Sequence, residues 1–289
     1  MEDERFYFGY GSNLNGSDWE AWCNKRGADS TSMKCIGSAW LLDHSMRFHY
    51  HSTGRNGGAA DVVRDGKGTV VPGALFALSD GGWELMDKKE GHPRYYQRVS
   101  VQVVTVEGKV VDAITYTVSP EKRETSLVIP AEAYANLIQE GLEVRNLPIN
   151  HLKTSIEKFD SKSRLQHVFV YGTLMRGESR WPQLEPWSSS KVEDGHIMGR
   201  LYHLGTYPGA RLDESGVVHG ELHRCEDIEK TLETLDLVEG HDEYQPGEGL
   251  YVRVPVSVQT VKGAVWAWTY LINEAPNPSS WLQGGRWAS

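Results

Sequence analysis

The sequence predicts an α+β chain that contains two tandem copies of one domain. A short aromatic and aliphatic segment followed by Tyr-Gly and a hydroxyl residue occurs at 7–12 and again at 168–173. A helical pattern ends in Glu-Gly in each half, and a Tyr-x-Arg-Val-x-Val pattern then begins at Tyr96 and at Tyr251. Because the three patterns recur in the same order, duplication explains them better than chance.

The loop after the first strand is the candidate anion-binding segment of the first copy. The apolar run 6–8 predicts a buried strand, which stops at Gly9 and Gly11. Glycine and the serine and asparagine that follow let the backbone turn sharply with N–H groups unpaired, and such groups can hold an anion. An ordinary strand end is the alternative. A dinucleotide-binding fingerprint is disfavoured, because Leu14 stands where that motif needs a third glycine.

The rest of the first copy is predicted to alternate between strands and short helices. A helix with Ser17 as its N-cap is predicted to end at Lys25. Strands are predicted at 35–42, 43–50, 59–63, 70–78, 95–101 and 113–116, with a flexible glycine-rich turn at 52–58. Further helices are predicted at 83–90 and 130–140, and the charged stretch 153–164 is predicted to be a linker.

Glu90 differs from an ordinary surface glutamate by its position. It is the last residue of a predicted helix, and Gly91 is a natural C-cap for that helix. Trp83, Met86 and Glu90 recur at helical spacing, which places them on one face. The polar Asp87 and Lys88 occupy the other face of the helix.

The second copy repeats this order with changes. Its loop at 171–177 is followed by a helical pattern that ends in Glu239 and Gly240. An extra acidic stretch, 242–248, lengthens the connection after Glu239, and nothing near the end of the sequence resembles the 130–140 helix.

Two groups of residues raise the question of a metal site. His49 and His51 share one strand face, but no third ligand at suitable spacing follows, so a partly exposed strand face is favoured over a metal site. Cys23, Cys35 and Cys225 form no Cys-x-x-Cys pair, which argues against zinc and against a disulfide framework. No metal ion is predicted.

Composition excludes several classes of protein. The 289 residues are 39% hydrophobic and 24% charged, as in a globular protein, and the net charge is −9. That charge argues against a nucleic-acid partner, whose phosphates need a basic face. No apolar run approaches the roughly 20 residues of a membrane span. With an acidic start that resembles no signal peptide and few cysteines, a cytoplasmic location is expected.

These motifs resemble the γ-glutamylcyclotransferase superfamily, which includes AIG2-like and BtrG-like proteins. The first copy is similar to γ-glutamylcyclotransferase through its Tyr-Phe-Gly-Tyr-Gly-Ser-Asn-Leu run, Gly-Gly-Ala-Ala at 57–60 and Glu90-Gly91. It also has Asn146-Leu147-Pro148 where the family usually has Gly-Leu-Pro. The second copy is similar to the γ-glutamylamine cyclotransferase, AIG2-like branch. The resemblance covers nearly the whole sequence and implies the domains 1–155 and 167–289, joined by a linker at 156–166.

The resemblance implies a fold, a reaction and a set of site residues. Each half should be a small mixed β-barrel surrounded by helices. The reaction should cleave a γ-glutamyl amide by attack of its own α-amine, which releases 5-oxoproline and an amino acid or amine. Glu90 and Glu239 should be the catalytic acid–base residues. The residues expected to bind substrate are Tyr7, Phe8, Gly9, Tyr10, Gly11, Ser12, Asn13, Leu14 and Tyr134 in the first copy, and Tyr171, Gly172, Thr173 and Leu174 in the second.

The implied chemistry is consistent with the residue types. The substrate supplies its own nucleophile, so no Ser/His/Asp or Cys/His arrangement is needed, and none is recognisable in the sequence. One carboxylate can take a proton from the α-amine and pass it to the leaving amine, while loop N–H groups stabilise the oxyanion. The expected partners are small γ-glutamyl amides, with no cofactor, nucleic acid or membrane. The sequence does not set an oligomeric state.

Three alternatives stay open at the level of sequence. The same cyclisation could remove a γ-glutamyl protecting group during natural-product synthesis. One copy could be a binding module for a ligand or partner, and the second copy is the better candidate because it lacks the Tyr134 helix. If both copies are catalytic, the carboxylates of 242–248 should line the second mouth and repel a leaving group that bears its own carboxylate.

Overall fold

Each half of the chain forms a closed five-stranded barrel with helices around it, which confirms the predicted α+β class and tandem architecture. The computed structural model describes residues 6–160 and 162–287. One compact unit comprises Met1–Thr105 and Val111–Ser163, and the other comprises Val106–Val110 and Arg164–Ser289.

Within residues 6–160, the first unit contains seven strands and four α-helices. Its strands are β1 Phe6–Gly9, β2 Met33–Leu42, β3 His44–Ser52, β4 Gly57–Arg64, β5 Val70–Leu78, β6 Tyr96–Thr105 and β7 Val110–Val118. Its helices are α1 Gly16–Asn24, α2 Asp80–Glu90, α3 Glu132–Glu143 and α4 Asn150–Glu157. Short 3₁₀ turns occupy Ser12–Leu14, Ser30–Ser32 and Pro120–Lys122. The barrel order is β1-β5-β2-β6-β7, and β3 and β4 form a separate hairpin.

The second unit repeats this barrel. Its strands are β8 His167–Val170, β9 Ser188–Met198, β10 Arg200–His203, β11 Pro208–Arg211, β12 Val217–Cys225, β13 Tyr251–Thr260, β14 Gly263–Ile272 and β15 Trp281–Leu282. Its helices are α5 Trp181–Leu184 and α6 Ile228–Glu239, with a 3₁₀ turn at Pro278–Ser280. The cyclic order is β8-β12-β9-β13-β14, so each strand has the same neighbours as its counterpart in the first barrel. A small sheet of β11, β10 and β15 stands beside the barrel.

The strand register fixes which residues correspond. Tyr7 of β1 pairs with Ile114 of β7, and Val168 of β8 pairs with Trp268 of β14. Phe8 therefore corresponds to Phe169, and the carbonyl oxygen of each accepts a hydrogen bond from a buried threonine hydroxyl, at 2.8 and 2.9 Å. The repeat seen in the sequence is thus a repeat of structure as well.

Close packing inside each barrel requires a glycine at the same place. A Cβ on Gly73 of β5 would lie 2.5 Å from the Gly9 carbonyl oxygen, and one on Gly220 of β12 would lie 2.2 Å from the Val170 carbonyl oxygen. Neither distance is compatible with a side chain. Both glycines permit β1 and β8 to approach their neighbours closely, so the loops that follow these strands start from equivalent positions.

Several predicted boundaries are wrong in detail. Helix α1 is capped by Asn15, whose side chain accepts from the Ser17 amide, so Ser17 lies inside the first turn. Helix α3 begins at Glu132, after Pro130, and extends to Glu143. Helix α4 occupies part of the stretch predicted to be a linker. Local polar composition suggested a flexible segment there, but His151 and Leu152 are buried and hold the helix against its unit.

The histidine pair on β3 has a structural explanation. His49 is buried and its Nε2 lies 2.7 Å from Oδ2 of the buried Asp61, whereas His51 is exposed. Among the described residues, no group of three or more His, Cys, Asp or Glu is arranged to hold a metal ion. Within residues 6–160 and 162–287, no helix is long and apolar enough to cross a membrane.

Candidate active sites

In the first unit the carboxylate of Glu90 meets the loop that follows β1. Glu90 ends α2, and Gly91 takes the left-handed conformation at φ 66° that terminates the helix. The amide of Asn13 donates to Glu90 Oε1 at 2.8 Å and lies 2.8 Å from the Tyr7 hydroxyl oxygen. Because Asn13 and Tyr7 belong to the loop and β1, the contact joins the two motifs that the sequence analysis singled out.

The loop is held in shape by the helix that packs on it. Its 3₁₀ turn is closed by the amides of Leu14 and Asn15, which leaves the amides at the start of the turn without a partner inside it. Leu14 is buried against Gly141 of α3, where a Cβ would lie 2.5 Å from the Leu14 Cβ. The same helix carries Tyr134, whose hydroxyl accepts from the Ala60 amide at 3.3 Å.

A cavity of about 280 Å³ lies between the loop, α2, α3 and the β3–β4 hairpin. Of the predicted site residues, Tyr7, Tyr10, Gly11, Ser12, Asn13, Glu90 and Tyr134 line it. Phe8, Gly9 and Leu14 lie outside that lining. Phe8 and Leu14 are instead fully buried in packing, which explains their apolar character without a contact to a ligand.

Two residues that line the cavity, Arg55 and Lys89, belong to a charged cluster that the sequence patterns did not reveal. Arg55, from the turn between β3 and β4, donates to both carboxylate oxygens of Asp18 at 2.9 and 2.7 Å and to Ser12 Oγ at 2.8 Å. Lys89 donates to Asp18 Oδ2 at 2.8 Å. Asp18 lies in α1 and Lys89 in α2, so only the tertiary fold brings them together. The one sequence signal was a lone arginine in a glycine-rich turn.

Burial and neighbouring charges act in opposite directions on Glu90. Removal from water raises the pKa of its carboxyl group above the ordinary value. Lys89, the hydrogen bond from Asn13 and Arg55 oppose this rise because they favour the ionised form. Glu90 is therefore a half-buried residue whose carboxyl group has a raised pKa, although a hydrogen-bond donor and two cations favour its ionised form.

The second unit places Glu239 in the same position at the end of α6. Gly240 again caps the helix at φ 66°. Tyr171, Gly172, Thr173 and Leu174, which were expected to bind substrate, all line a cavity together with Glu239. This cavity measures only about 30 Å³.

Pro208 of β11 accounts for much of the reduced space. A Cβ on Gly172 would lie 2.4 Å from Pro208 Cγ, so the proline ring covers the loop closely. The Pro208 carbonyl accepts from the Tyr251 hydroxyl at 2.6 Å, which fixes the segment in place. No local sequence pattern predicts that Pro208 covers the loop after β8.

The surroundings of Glu239 are less polar than those of Glu90. By register, Leu174 stands where the first unit has Asn13, and Val238 stands where it has Lys89. Burial raises the pKa of Glu239 to about 7, opposed by the charge of Arg180. Arg180 lines the cavity and donates to the Val238 carbonyl at 3.2 Å. Arg180 is a second arginine that the sequence analysis did not select.

The acidic stretch after Glu239 does not line the second cavity as the sequence analysis expected. No residue of 242–248 is among the described residues that line it. Asn273 instead holds this stretch through bonds from its side-chain amide to the Pro246 and Gly249 carbonyls, at 3.1 and 2.6 Å. Polarity alone could not reveal that the segment is tied down beside β14.

Comparison with solved structures gives partial matches. The structure of an uncharacterized human protein is 25% identical, covers 56% of this chain and 94% of that protein, and has a TM-score of 0.45. YkqA from Bacillus subtilis is 23% identical, with 55% and 56% coverage and a TM-score of 0.46. An AIG2-like protein from Mus musculus is 22% identical, with 43% and 88% coverage and a TM-score of 0.35.

Sequence comparison identifies the family. A curated relative from Vibrio cholerae serotype O1, named "Putative gamma-glutamylcyclotransferase", is 33% identical over 129 residues, which are 43% of this chain and 96% of that protein. The family model described as "Gamma-glutamyl cyclotransferase, AIG2-like" matches residues 7–136 and 168–289. These two regions contain both loops and both helix-terminal glutamates. The chain belongs to the AIG2-like gamma-glutamyl cyclotransferase family.

Proposed function

We propose that the chain releases 5-oxoproline from γ-glutamyl amides by intramolecular attack of the substrate α-amine, with Glu90 and Glu239 as the acid–base residues. The observation that carries this proposal is the contact between the Glu90 carboxylate and Asn13 at the wall of a 280 Å³ cavity. Among the described residues that line this cavity there is no histidine or cysteine. A reaction that needs only one carboxylate and loop N–H donors suits such a wall.

The proposed steps use the substrate as its own nucleophile. The α-ammonium group transfers a proton to the ionised Glu90, and the free amine attacks the γ-carbonyl carbon. The carbonyl oxygen becomes an oxyanion, for which the free amides at the start of the loop are the proposed donors. Collapse of the intermediate breaks the C–N bond, and the proton held by Glu90 passes to the leaving amine. Glu90, ionised again, then takes the second proton from the ring nitrogen and transfers it to the released amine, which departs as an ammonium group. The products are 5-oxoproline and an amino acid or amine.

The raised pKa values support a proton-shuttling role. A carboxyl group takes up and returns a proton most effectively when its pKa lies near the working pH. Burial moves the pKa of both glutamates in that direction, to about 7 for Glu239. The enclosed wall also restricts the folded γ-glutamyl chain, which favours closure of a five-membered ring.

An ordinary amidase mechanism has one structural argument in its favour. Ser188 Oγ lies 2.8 Å from His223 Nδ1, and His223 Nε2 lies 3.1 Å from Glu221 Oε2. This serine–histidine–carboxylate chain was not recognisable in the sequence. None of its three residues lines either described cavity, and His223 is fully buried. We therefore assign it a structural role in the wall of the second barrel.

A substrate with a blocked α-amine separates the two mechanisms. The unsubstituted chain should release 5-oxoproline from a γ-glutamyl amide and should leave its N-acetylated form unchanged, since an acetylated amine cannot attack. Formation of N-acetylglutamate would show an amidase and contradict the proposal. Ser188→Ala should leave 5-oxoproline release unchanged and serves as the matched control.

The small second cavity favours one further candidate for that unit, a binding module without catalysis. Its volume of about 30 Å³ does not hold a γ-glutamyl amide without movement of the wall. If 5-oxoproline release from γ-glutamyl amino acids and from γ-glutamylamines both survive Glu239→Gln, the second unit is a module of this kind. Loss of either activity would show that the second site is catalytic.

A further inference from the structure

We propose that Arg55 anchors a carboxylate group of the substrate in the cavity of the first unit. The identity of the ligand rests on the proposed function, because γ-glutamyl compounds carry the carboxylate in question. The position of Arg55 does not rest on it. Arg55 lies on the turn between β3 and β4 and lines the same cavity as Glu90.

The hydrogen bonds of Arg55 leave donors available. A guanidinium group has five N–H donors and no acceptor. Asp18 takes one N–H from each terminal nitrogen, and Ser12 Oγ takes the second N–H of Nη2. One N–H on Nη1 and the N–H of Nε have no acceptor among the described residues. The geometry therefore positions the guanidinium without using all of its donors.

Asp18 alone does not cancel the charge of Arg55. Asp18 is paired with two cations, Arg55 and Lys89, so the three side chains together carry one excess positive charge. Arg55 and Lys89 keep the pKa of Asp18 well below its usual range, so the carboxylate stays ionised and keeps both cations in place. A bound carboxylate would neutralise the excess.

The Arg55 guanidinium lies where a carboxylate group of the substrate could bind. It stacks over the ring of Tyr134 at 5.1 Å and contacts Ser12, so it touches both the α3 wall and the candidate oxyanion loop. Ser12 Oγ accepts from Arg55, which leaves the hydroxyl proton free to donate toward a ligand. Two carboxylates could occupy this position: the α-carboxylate of the γ-glutamyl group, and the carboxylate of a departing amino acid. Both share the chemistry that an arginine recognises.

Three ligands distinguish the two sources. The parent is γ-glutamyl-L-alanine; the second has its alanine carboxylate replaced by an amide, and the third has its glutamyl α-carboxylate replaced by an amide. Binding is measured by titration calorimetry on the full chain with Glu90→Gln and Glu239→Gln, so that turnover does not interfere. Arg55→Met is then added to this chain. Arg26→Met, an exposed arginine that stacks on Trp22 at 4.1 Å, is the matched control.

We expect Arg55→Met to weaken only the binding of ligands that keep the carboxylate recognised by Arg55. Arg55→Met should weaken binding of the parent by about 10- to 100-fold, as expected for loss of a charge-assisted hydrogen bond. It should have almost no effect on the ligand that lacks the recognised carboxylate. If the alaninamide is the insensitive ligand, Arg55 binds the leaving group; if the α-amide is insensitive, Arg55 binds the glutamyl end. Arg55→Lys, which retains the charge, should weaken the parent by an intermediate factor.

Two outcomes would overturn the inference. Equal weakening of all three ligands would show that Arg55 only supports the cavity wall, and unchanged binding of all three would show that it contacts no ligand. The three ligands are compared within each variant, and circular dichroism is used to check that each variant is folded. If the unsubstituted chain releases no 5-oxoproline, the proposed function fails. The binding comparison would still decide whether Arg55 is a carboxylate anchor.

Discussion

The two units place a glutamate at the same point of the same barrel but surround it differently. Glu90 accepts a hydrogen bond from Asn13 and has Lys89 and Arg55 nearby. In the described part of the chain, the Glu239 carboxylate has no hydrogen-bond donor, and Arg180 is the one cation that affects its pKa. The cavities differ by about 250 Å³, from the volumes of 280 and 30 Å³.

The comparison separates what maintains the barrel from what shapes the site. Supporting contacts recur with nearly the same geometry in both units. Tyr116 donates to Asp87 at 2.7 Å in the first, and Tyr270 donates to Asp236 at 2.7 Å in the second. The residues that differ lie on the loop and on the segments that face the glutamate. The shared backbone therefore fixes where the carboxylate stands, and the variable wall determines how strongly it holds a proton.

The largest expected effect comes from removing each carboxylate in turn. We expect Glu90→Gln to lower turnover of γ-glutamyl amino acids by at least about a hundredfold, since glutamine keeps the size but cannot shuttle a proton. We expect Glu239→Gln to lower turnover of γ-glutamylamines by a similar factor. Both variants of the full chain are assayed on both substrate types by 5-oxoproline release.

Other patterns would revise the comparison. If both variants lose the same substrate equally, the units are not divided by substrate. The acidic stretch 242–248 first suggested that the two units act on different substrates, but it lies outside the described lining of the second cavity. Any difference in substrate between the units would therefore have to come from the cavity walls around Arg55 and Arg180. Glu233→Gln on the exposed face of α6 is the control and should change neither activity.

Sequence patterns predicted the barrel repeat and the two glutamates because local signals carry both. The strand 70–78 was predicted with the bounds that β5 has, and each Glu-Gly pair marks a helix end that glycine can cap. The residues after the shared Tyr-Gly and hydroxyl residue could be matched only from the structure, whose register places Leu174 at the position of Asn13. The difference between Asn13 and Leu174 determines whether the helix-terminal glutamate has a side-chain amide donor.

The site residues that the sequence patterns did not reveal were missed for one physical reason. Asp18, Arg55 and Lys89 come from three separate elements, and each is an ordinary polar residue in its local sequence. They form a cluster only because the fold brings Arg55 and Lys89 each within 3 Å of the Asp18 carboxylate. Pro208 similarly has no local signature as a cavity wall. Contacts of long sequence separation cannot be read from periodicity or from capping signals.

The second prediction concerns the cost of an unsupported buried carboxylate. The pKa of Glu239 is about 7 in the folded chain, above its ordinary value of 4.5. The contribution of Glu239 to folding is therefore most favourable below about pH 4.5 and is lost as the pH rises through 7. Between these two pH values the folded state binds more protons than the unfolded state. We expect Glu239→Gln to raise the free energy of unfolding of the second unit by about 1–3 kcal/mol at pH 8 and by little at pH 5.

Denaturant unfolding at the two pH values measures this difference. The intrinsic fluorescence of the full chain is followed in urea, and Glu233→Gln provides the surface control on the same helix. A gain of equal size at pH 5 and pH 8 would mean that packing, rather than ionisation of Glu239, causes the change. A loss of stability at both pH values would contradict the burial argument itself.

The third prediction makes the first site resemble the second. Asn13→Leu removes the donor to Glu90 and introduces the residue that the second unit has at this place. We expect the pKa of Glu90 to rise and turnover of γ-glutamyl amino acids at pH 7 to fall by about tenfold, as expected for loss of one hydrogen bond to a charged group. Raising the pH should restore part of the activity, and a loss that does not depend on pH would assign Asn13 a purely structural role.

The smallest expected effect is a difference between the acid limbs of the two units. A general base must be ionised, so turnover should fall as pH drops through its pKa. For Glu239, with a pKa of about 7, turnover of γ-glutamylamines should roughly double between pH 7 and pH 8. Asn13, Lys89 and Arg55 favour the ionised form of Glu90, so the limb for γ-glutamyl amino acids should lie at lower pH. Profiles of Glu90→Gln and Glu239→Gln chains from pH 5 to pH 9 isolate the two limbs. Coincident limbs would show that the surroundings of the two carboxylates, although different in structure, do not set their proton affinities during turnover.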